Sequence, residues 1–359
     1  MHHPRIAGPV ACICLLALAL LVPPPVRAQD AARTVTDSAG RRVEIPHKIS
    51  RVLAAGPPAS ILLYTLTPEQ MIGWIRTPRP SEMPFLLESV RGLPEYGRLT
   101  GRGGTANLES VLRFKPDLII DSGSTNATYV SLASNVQEQT KIPYLLLDGR
   151  LESTPAVYRL LGELLGVPER AEKLARYAEE TLGGLKSRVA TIPEHERPRV
   201  YYGRGPNGLE TGLAGSINME VLEHVGAINV AAAGGKGGLT KVSLEQVLAW
   251  NPDVILALDP GFYRSVASDP LWSSVKAVRD KRIYLAPNLP WGWFDAPPGV
   301  NRLIGVRWLM ATLYPQQFPE SLRDTTREFY RLFYQVELTD AQLDTLLTPA
   351  TSWKKDRRP

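Results

Sequence analysis

Two stretches of the chain carry nearly the same pattern: LESVLRFKPDLII at residues 108–120 and LEQVLAWNPDVIL at residues 244–256. In each copy, Leu and Val recur at helical spacing, which predicts a short helix with one buried face. Pro116 and Pro252 end that helix, because proline has no amide proton and its ring clashes with the preceding turn. The apolar runs that follow are typical of strands covered on both faces of a parallel sheet. Two copies of helix, turn and buried strand therefore predict two similar α/β lobes.

The rest of the chain alternates strands and helices in the way that parallel sheets require. Residues 33–46 alternate around Gly40 and predict a β-hairpin, and residues 48–56, 69–75 and 142–148 predict further strands. Residues 59–66 predict a helix between the first two of these strands. In the second half, strands are expected near Val200, Val254 and Ile283.

Residues 154–190 show a helical pattern alone, with Leu174, Tyr177 and Leu185 on one face. One long helix that crosses once between two lobes would act as a stiff spine and limit their movement. The predicted fold is therefore two similar α/β lobes with mainly parallel sheets, joined by one long helix, with a ligand cleft between the lobes. The expected domains are a signal peptide at 1–28, an N-terminal lobe at 29–153, a spine helix at 154–192 and a C-terminal lobe at 193–359.

The first residues have the features of a secretory leader. A basic start is followed by an apolar run at residues 11–22, and small residues precede an expected cleavage site after Ala28. Both cysteines, Cys12 and Cys14, lie in this segment, so the mature chain is expected to have no disulfide and no thiolate chemistry. Lipidation of Cys12 is disfavoured, since it stands at the start of the apolar run rather than after it. We expect an exported, periplasmic protein.

The charge balance argues against nucleic-acid or polybasic membrane binding. The formal net charge is +5, and loss of the leader removes two arginines and no acids, which leaves +3. Three mature histidines occur at no metal-ligand spacing, and no Gly-x-Ser-x-Gly motif is present. The sequence therefore predicts neither an enzyme nor a dedicated metal site, and we expect no cofactor.

The order of these features resembles a known family. The hairpin sequence VTDSAGRRVEIP (35–46), the strand RVLAAG (51–56), the two repeat copies and the helical segment between them are similar to periplasmic substrate-binding proteins of the cobalamin and iron-siderophore type. The resemblance covers nearly the whole mature chain. It implies a monomeric protein that captures a metal chelate and delivers it to the permease dimer of an ABC importer.

The resemblance also gives the repeat a function. In the family, a surface glutamate on each lobe pairs with arginines on the two permease subunits, and these positions match Glu109 and Glu245. Two like lobes would then present two like charges to a two-fold symmetric partner. The alternative is that each glutamate only suits the positive end of its helix dipole, behind the N-cap candidates Asn107 and Ser243.

Candidate ligand-binding residues follow from the rule that ligands bind at the carboxyl ends of parallel strands. Exposed aromatic rings beside arginines suit a flat or aromatic anionic chelate, through stacking, cation–π contact and bidentate pairing. Trp74 lies in an apolar run and is expected to belong to the core. The predicted ligand-binding set is Arg76, Arg79, Tyr202, Arg204, Trp291, Trp293, Asp295 and Arg302.

The sequence leaves the solute open. An iron-siderophore or similar metal chelate is the first expectation, because aromatic and arginine residues cluster on the loops. A corrinoid, haem or an oxyanion such as molybdate is the alternative within binding proteins. A chelatase-like periplasmic enzyme is the alternative outside them, and it would need a histidine or a carboxylate pair in the cleft. Fold alone does not separate these classes.

Overall fold

The computed structural model describes residues 1–2, 32–101 and 108–348. The predicted leader with its two cysteines and the N-cap candidate Asn107 lie outside this described part. No helix within it is long and apolar enough to cross a membrane.

The N-terminal lobe begins with the predicted hairpin and continues as a parallel sheet. Strands β1 (Arg33–Thr36) and β2 (Arg42–Ile45) pair antiparallel, and Gly40 takes the left-handed φ of 79° that their turn needs. Three parallel strands follow in the order β3-β4-β5, and four helices connect or flank them. They are β3 (Val52–Ala54), α1 (Pro57–Leu66), α2 (Glu88–Arg91), α3 (Leu108–Arg113), β4 (Leu118–Gly123), α4 (Ala127–Thr140) and β5 (Tyr144–Asp148).

The predicted strand at residues 69–75 is wrong. This segment is a single 3₁₀ turn, Pro68–Gln70, followed by isolated one-residue bridges. Trp74 donates its N–H to Pro94 O at 2.8 Å, in an irregular segment that cannot continue a ladder. The apolar run is buried, but it contributes side chains to the core rather than a strand to the sheet.

The segment predicted as one spine helix is two helices, α5 (Thr154–Leu165) and α6 (Pro168–Ala190). Gly166 has a φ of 75°, and its amide bonds to Gly162 O, which ends α5 in a left-handed cap. Pro168 then opens α6 at the position where its missing N–H costs nothing. The 23-residue helix α6 alone crosses between the two sheets, so the prediction overestimated the length of the helix. We propose that the lobes divide at residues 154–192.

The C-terminal lobe contains a second parallel sheet in the order β11-β10-β6-β8, and a small antiparallel pair, β7-β9. The strands expected near Val200, Val254 and Ile283 are confirmed. Its elements are β6 (Arg199–Gly203), β7 (Glu210–Gly212), α7 (Glu220–His224), β8 (Ile228–Asn229), β9 (Leu239–Lys241), α8 (Leu244–Trp250), β10 (Val254–Ala257), α9 (Pro260–Val266), α10 (Lys276–Arg279), β11 (Ile283–Leu285), α11 (Arg302–Leu313), α12 (Leu322–Phe329), one π-helical turn (Tyr330–Tyr334) and α13 (Asp340–Leu347).

The repeated sequence builds the same unit in both lobes, as predicted. Each copy is a helix (α3 or α8), a turn and a central strand (β4 or β10). Asp117 Oδ2 accepts the N–H of Arg51 at 2.9 Å, and Asp253 Oδ2 accepts the N–H of Arg199 at 3.0 Å. In return, each aspartate donates its own N–H to the carbonyl of that arginine at 2.8 Å. The Pro-Asp aspartate therefore fixes the start of the neighbouring strand, β3 or β6.

The side chains of the same arginines bind the carboxyl end of the repeat helix. Arg51 Nη2 donates to Phe114 O at 2.6 Å, and Arg199 Nη2 donates to Trp250 O at 2.9 Å. Both acceptors are carbonyls at the carboxyl end of the repeat helix, where intrahelical partners run out. An arginine at this end also suits the negative pole of the helix dipole.

Arg170 on α6 connects the bridging helix to both lobes. Its guanidinium donates to the last carbonyls of α1, with Nη2 2.6 Å from Thr65 O and Nε 3.0 Å from Leu66 O. The same Nη2 lies 3.1 Å from Leu332 O in the π-helical turn. Arg170 therefore links both the carboxyl end of α1 and the π-helical turn of the C-terminal lobe to α6.

Arg302 makes a second, deeper connection between the lobes. The side chain is only 1% exposed, and it donates to Gly149 O in the N-terminal lobe at 2.6 Å and to Ile217 O in the C-terminal lobe at 2.8 Å. It also pairs with Glu220 at 2.6 Å, and the same carboxylate accepts the N–H of Leu151 at 3.0 Å. Burial lowers the pKa of Arg302 and the Glu220 charge opposes that effect.

We predict that Arg302→Met destabilises the protein by about 3–5 kcal/mol, because it leaves a buried carboxylate and several buried carbonyls without their donor. Arg323→Met is the matched control, since Arg323 forms its ion pairs at the surface with 41% of its side chain exposed. Exposed ion pairs contribute little to stability. Urea unfolding of both variants measures the difference, and equal losses would contradict a clamp at Arg302.

Candidate functional site

One cleft lies where the N-terminal lobe meets a long loop of the C-terminal lobe. Its volume is about 410 Å³, which is within the size range of small-ligand sites. The N-terminal wall comes from the start of α1 and from residues 74–98, and the other wall comes from residues 291–297. The lining residues are Pro57, Ser60, Trp74, Ile75, Arg76, Pro78, Glu82, Leu86, Glu95, Arg98, Trp291, Ala296 and Pro297.

The loop between β11 and α11 is held by contacts within itself. Trp293 donates its backbone N–H to Pro287 O at 2.8 Å, and Asn301 Nδ2 donates to Gly292 O and, at 3.1 Å, to Pro297 O. Gly305 on α11 lets the loop approach the helix, because a Cβ there would lie 1.8 Å from Trp293 O. The loop is therefore a fixed wall that presents Trp291 to the cleft.

Aromatic rings from both lobes meet behind the cleft. Trp291 packs edge-on against Tyr64 of α1, with ring centroids 5.3 Å apart, and against Tyr334 of the π-helical turn at 5.1 Å. Trp74 lies 6.3 Å from Trp291, and its indole N–H donates to Val90 O at 2.7 Å. Trp74 is 3% exposed, so it belongs to the core as predicted, yet it also lines the cleft.

A buried glutamate organises the arginines of the N-terminal wall. Glu82 accepts two hydrogen bonds from Arg76, at 2.7 and 2.8 Å, and one from Arg79 Nε at 2.8 Å. Burial alone would raise the pKa of Glu82, but the hydrogen bonds from Arg76 and Arg79 outweigh it and hold that pKa below its ordinary value. The Glu82 side chain is 2% exposed, whereas 45% of Arg76 remains exposed. The geometry thus fixes a guanidinium that still reaches solvent in the cleft.

The same wall carries a second acidic and basic pair of residues. Glu95 accepts from the backbone N–H and the hydroxyl of Thr77, at 2.8 and 2.9 Å, and both Glu95 and Arg98 line the cleft. With Arg79 included, three arginines stand against two glutamates along this wall. Arg79 does not line the cleft, so the charges of the lining residues balance, and the exposed guanidinium of Arg76 is the feature that suits an anion.

Several predicted ligand-binding residues lie in the interior instead. Asp295 is fully buried and accepts from the Tyr202 hydroxyl at 3.0 Å and from Asn218 Nδ2 at 2.7 Å, while Arg204 Nε lies 3.0 Å from its Oδ2. Arg204 also pairs with Glu210 at 2.5 Å. Burial raises the pKa of Tyr202 well above its ordinary value, and the Asp295 charge adds to that effect. This network ties the long loop to β6.

The structure therefore separates the eight predicted ligand-binding residues into two groups. Arg76 and Trp291 line the cleft, and Arg79 supports Arg76 from the same wall through Glu82. The remaining five, Tyr202, Arg204, Trp293, Asp295 and Arg302, do not line the cleft. Ligand contact through the fully buried Tyr202 or Trp293 would require the interior to open. Their ligand-binding role stays a prediction.

Sequence reasoning missed Glu82, Glu95 and Arg98. These residues follow no strand, so the strand-end rule could not select them. One usable signal was the spacing of Arg76, Arg79 and Glu82 in a proline-rich segment, where a single carboxylate can reach two arginines. Trp74 was assigned only to the core because an apolar run does not show which edge of a ring reaches the surface.

The two glutamates of the repeat are exposed, one on each lobe, in the first turns of α3 and α8. Ser243 caps α8, as predicted, and accepts the N–H of Gln246 at 3.3 Å. A hydrogen bond from the Ser243 side chain, together with a backbone amide, lowers the pKa of Glu245. Within the described residues, no group of three or more acidic, histidine or cysteine side chains is placed to hold a metal ion.

The profile of the periplasmic binding protein family matches residues 87–289, which is more than half of the chain. The chain therefore belongs to this family. Its members of known function that resemble this chain are substrate-binding proteins of ABC importers, which capture small molecules for a membrane permease, and not enzymes. The two-lobed α/β fold agrees with this membership.

Three relatives show how far the similarity extends, and two of them are named for their solute. A solved ABC transporter solute binding protein from Sulfurospirillum deleyianum has a TM-score of 0.78 and 33% identity, over 88% of this chain and 98% of that one. The molybdate-binding protein MolA of Haemophilus influenzae is 28% identical over 85% of this chain and 92% of its own, and its molybdate-bound structure has a TM-score of 0.70. The Fe(3+) dicitrate-binding protein FecB of Escherichia coli is 25% identical, over 57% of this chain and 67% of its own.

We predict that Glu82→Gln destabilises the protein at neutral pH by about 2 kcal/mol, because the charge-assisted hydrogen bonds to Arg76 and Arg79 are lost. The lowered pKa of Glu82 means that this contribution is complete above the unfolded value of about 4.3. This contribution disappears as the pH falls through the lowered pKa of Glu82, since wild type and variant then both carry a neutral side chain at position 82.

Urea unfolding of wild type and variant measures this difference. The two conditions are about pH 7 and about pH 3, on either side of the ordinary glutamate pKa of about 4.3. Glu88→Gln, at an exposed position of α2, is the matched control. If Glu82→Gln is destabilised as much at the lowest pH as at neutral pH, the charge of Glu82 is not the source of the stability.

Proposed function

We propose that this protein is the solute-binding component of an ABC importer and that its solute is an anion, first of all a tetrahedral oxyanion of the molybdate type. The observation that carries the proposal is Arg76, which Glu82 fixes in the cleft wall while its guanidinium remains accessible. Guanidinium groups bind oxyanions bidentately. The similarity to MolA supports the oxyanion, because it extends over 85% of this chain.

An anionic ferric chelate of the citrate type is the second candidate, in line with the first expectation from the sequence. Two indoles, Trp74 and Trp291, border a cleft of about 410 Å³, which leaves apolar surface and space beyond four oxygens. The partial similarity to FecB supports this candidate. Both candidates present anionic oxygens to Arg76, so the shared chemistry is the recognition of an oxygen-bearing anion.

The five residues of the predicted set that do not line the cleft are proposed to support the site rather than to bind the solute. Tyr202, Arg204 and Asp295 hold the loop that carries Trp291, and Arg302 holds the lobes together. Siderophores, corrinoids and haem are less well supported, because the similarity that extends over most of the chain is to a molybdate-binding protein.

Delivery to a permease is proposed to use Glu109 and Glu245. Both carboxylates are exposed and occupy the same place in the repeated unit, one on each lobe. Neither belongs to the Arg-Asp contacts that build that unit, and the Glu245 carboxylate stays exposed although Ser243 donates to it. The features of residues 1–28 support export to the periplasm by a cleaved leader.

The anion proposal is tested by calorimetric titration of the purified chain with sodium molybdate and, separately, with ferric citrate. We predict that Arg76→Gln weakens binding of the true solute about 10- to 100-fold, the effect of a lost charge-assisted hydrogen bond. Arg91→Gln is the control, because Arg91 donates from Nε and Nη2 to Leu86 O and is not among the residues that line the cleft. Saturable binding of molybdate alone supports the oxyanion, and binding of ferric citrate alone supports the chelate. Absence of binding to either anion would refute the proposal.

For delivery, we predict that Glu109→Arg and Glu245→Arg leave solute affinity unchanged and reduce uptake in cells, because like charges would then face the permease. Glu88→Arg, on another exposed helix, controls for a general change of surface charge. Wild-type uptake by the doubly substituted protein would show that the repeat serves architecture alone.

A further inference from the structure

The cleft contains a buried hydroxyl without a partner. Ser60 is 3% exposed and lines the cleft, and within the described residues its Oγ has no hydrogen-bond partner. A buried hydroxyl left unpaired costs free energy, so such groups are uncommon in folded proteins. The position of Ser60 at the cleft surface suggests that its partner arrives with the ligand.

The same residue belongs to the first turn of α1, a ten-residue helix that begins at the cleft. No side chain caps this helix, and its first two residues, Pro57 and Pro58, have no N–H. The amide of Ser60 is already bonded to Gly56 O at 3.0 Å. The positive pole of the helix dipole is therefore uncompensated by any acidic side chain of its own turn.

Among the described residues, the adjacent strand ends offer Ser60 Oγ no partner. Gly56 lets Thr100 approach the start of α1, because a Cβ at position 56 would lie 2.3 Å from Thr100 Oγ1 and displace that hydroxyl. The Thr100 hydroxyl itself donates to Asp121 Oδ1 at 3.0 Å. The two polar groups beside the start of α1 are thus committed to each other and leave Ser60 unpaired.

We propose that Ser60 Oγ, at the first turn of α1, is a ligand-binding group that donates a hydrogen bond to an unprotonated oxygen of the bound anion. This inference rests on the proposed function. It adds a second ligand-binding group to Arg76, which is charged, namely a neutral hydroxyl donor at a helix terminus. It also restricts the solute to molecules that place an unprotonated oxygen at α1, as oxyanions and citrate chelates do.

The test is calorimetric titration of the full chain with sodium molybdate and with ferric citrate, for wild type, Ser60→Ala and Ser60→Cys. We expect the dissociation constant of the bound anion to rise about tenfold or more in both variants, the loss typical of a hydrogen bond to a charged acceptor. Ser131→Ala, an exposed serine on α4, should keep wild-type affinity. The melting temperature of Ser60→Ala should not fall, since the unliganded protein loses no hydrogen bond.

The outcomes separate the two proposals. Wild-type protein that binds neither anion overturns the anion proposal and this inference with it. Wild-type protein that binds an anion, with Ser60→Ala equally tight, overturns the inference alone. If Ser60→Ala is unstable, Ser60→Cys decides, because its thiol keeps the volume and donates only weakly: wild-type affinity in a folded Ser60→Cys overturns the inference, and weakened affinity supports it.

Discussion

The arrangement of the two lobes depends on one buried guanidinium. Arg302 lies at the start of α11 and takes backbone carbonyls from both lobes as partners, while Glu220 neutralises it and holds the N–H of Leu151. A buried charge of this kind is tolerated only when every donor finds an acceptor in good geometry. The lobes are consequently held at a defined spacing, and the cleft walls formed by residues 74–98 and 291–297 keep their separation.

Local features of the fold were predictable because they depend on residues that are close together in the sequence. The repeat predicted helix, turn and buried strand in each lobe, since Pro116 and Pro252 follow a helical turn and a helix cannot continue through proline at that point. What the repeat could not show is that Asp117 and Asp253 pin the neighbouring strands through Arg51 and Arg199, contacts that join residues more than 50 positions apart. The break at Gly166 was overlooked because the apolar periodicity continues on both sides of it.

The site was harder to predict for a physical reason. The strand-end rule finds loops that can face a cleft, but it does not distinguish a residue that faces the ligand from one that holds the loop. Tyr202, near the end of β6, and Asp295, on the loop after β11, are both fully buried, and the Tyr202 hydroxyl donates to Asp295 Oδ2. Arg76 is held in the cleft wall by Glu82, six residues later, which accepts hydrogen bonds from its guanidinium. Such pairing depends on the path of an irregular segment, which composition and periodicity do not encode.

Helix α1 has its amino end at the cleft and its carboxyl end on Arg170, a residue of the bridging helix α6. A ten-residue helix is about 15 Å long and nearly incompressible along its axis. Arg170 also contacts Leu332 of the C-terminal lobe, so the far end of this rod rests on both the bridge and the opposite lobe. These contacts leave α1 little freedom to move along its axis. A ligand in the cleft therefore contacts a helix that is supported by both lobes, and not a flexible loop.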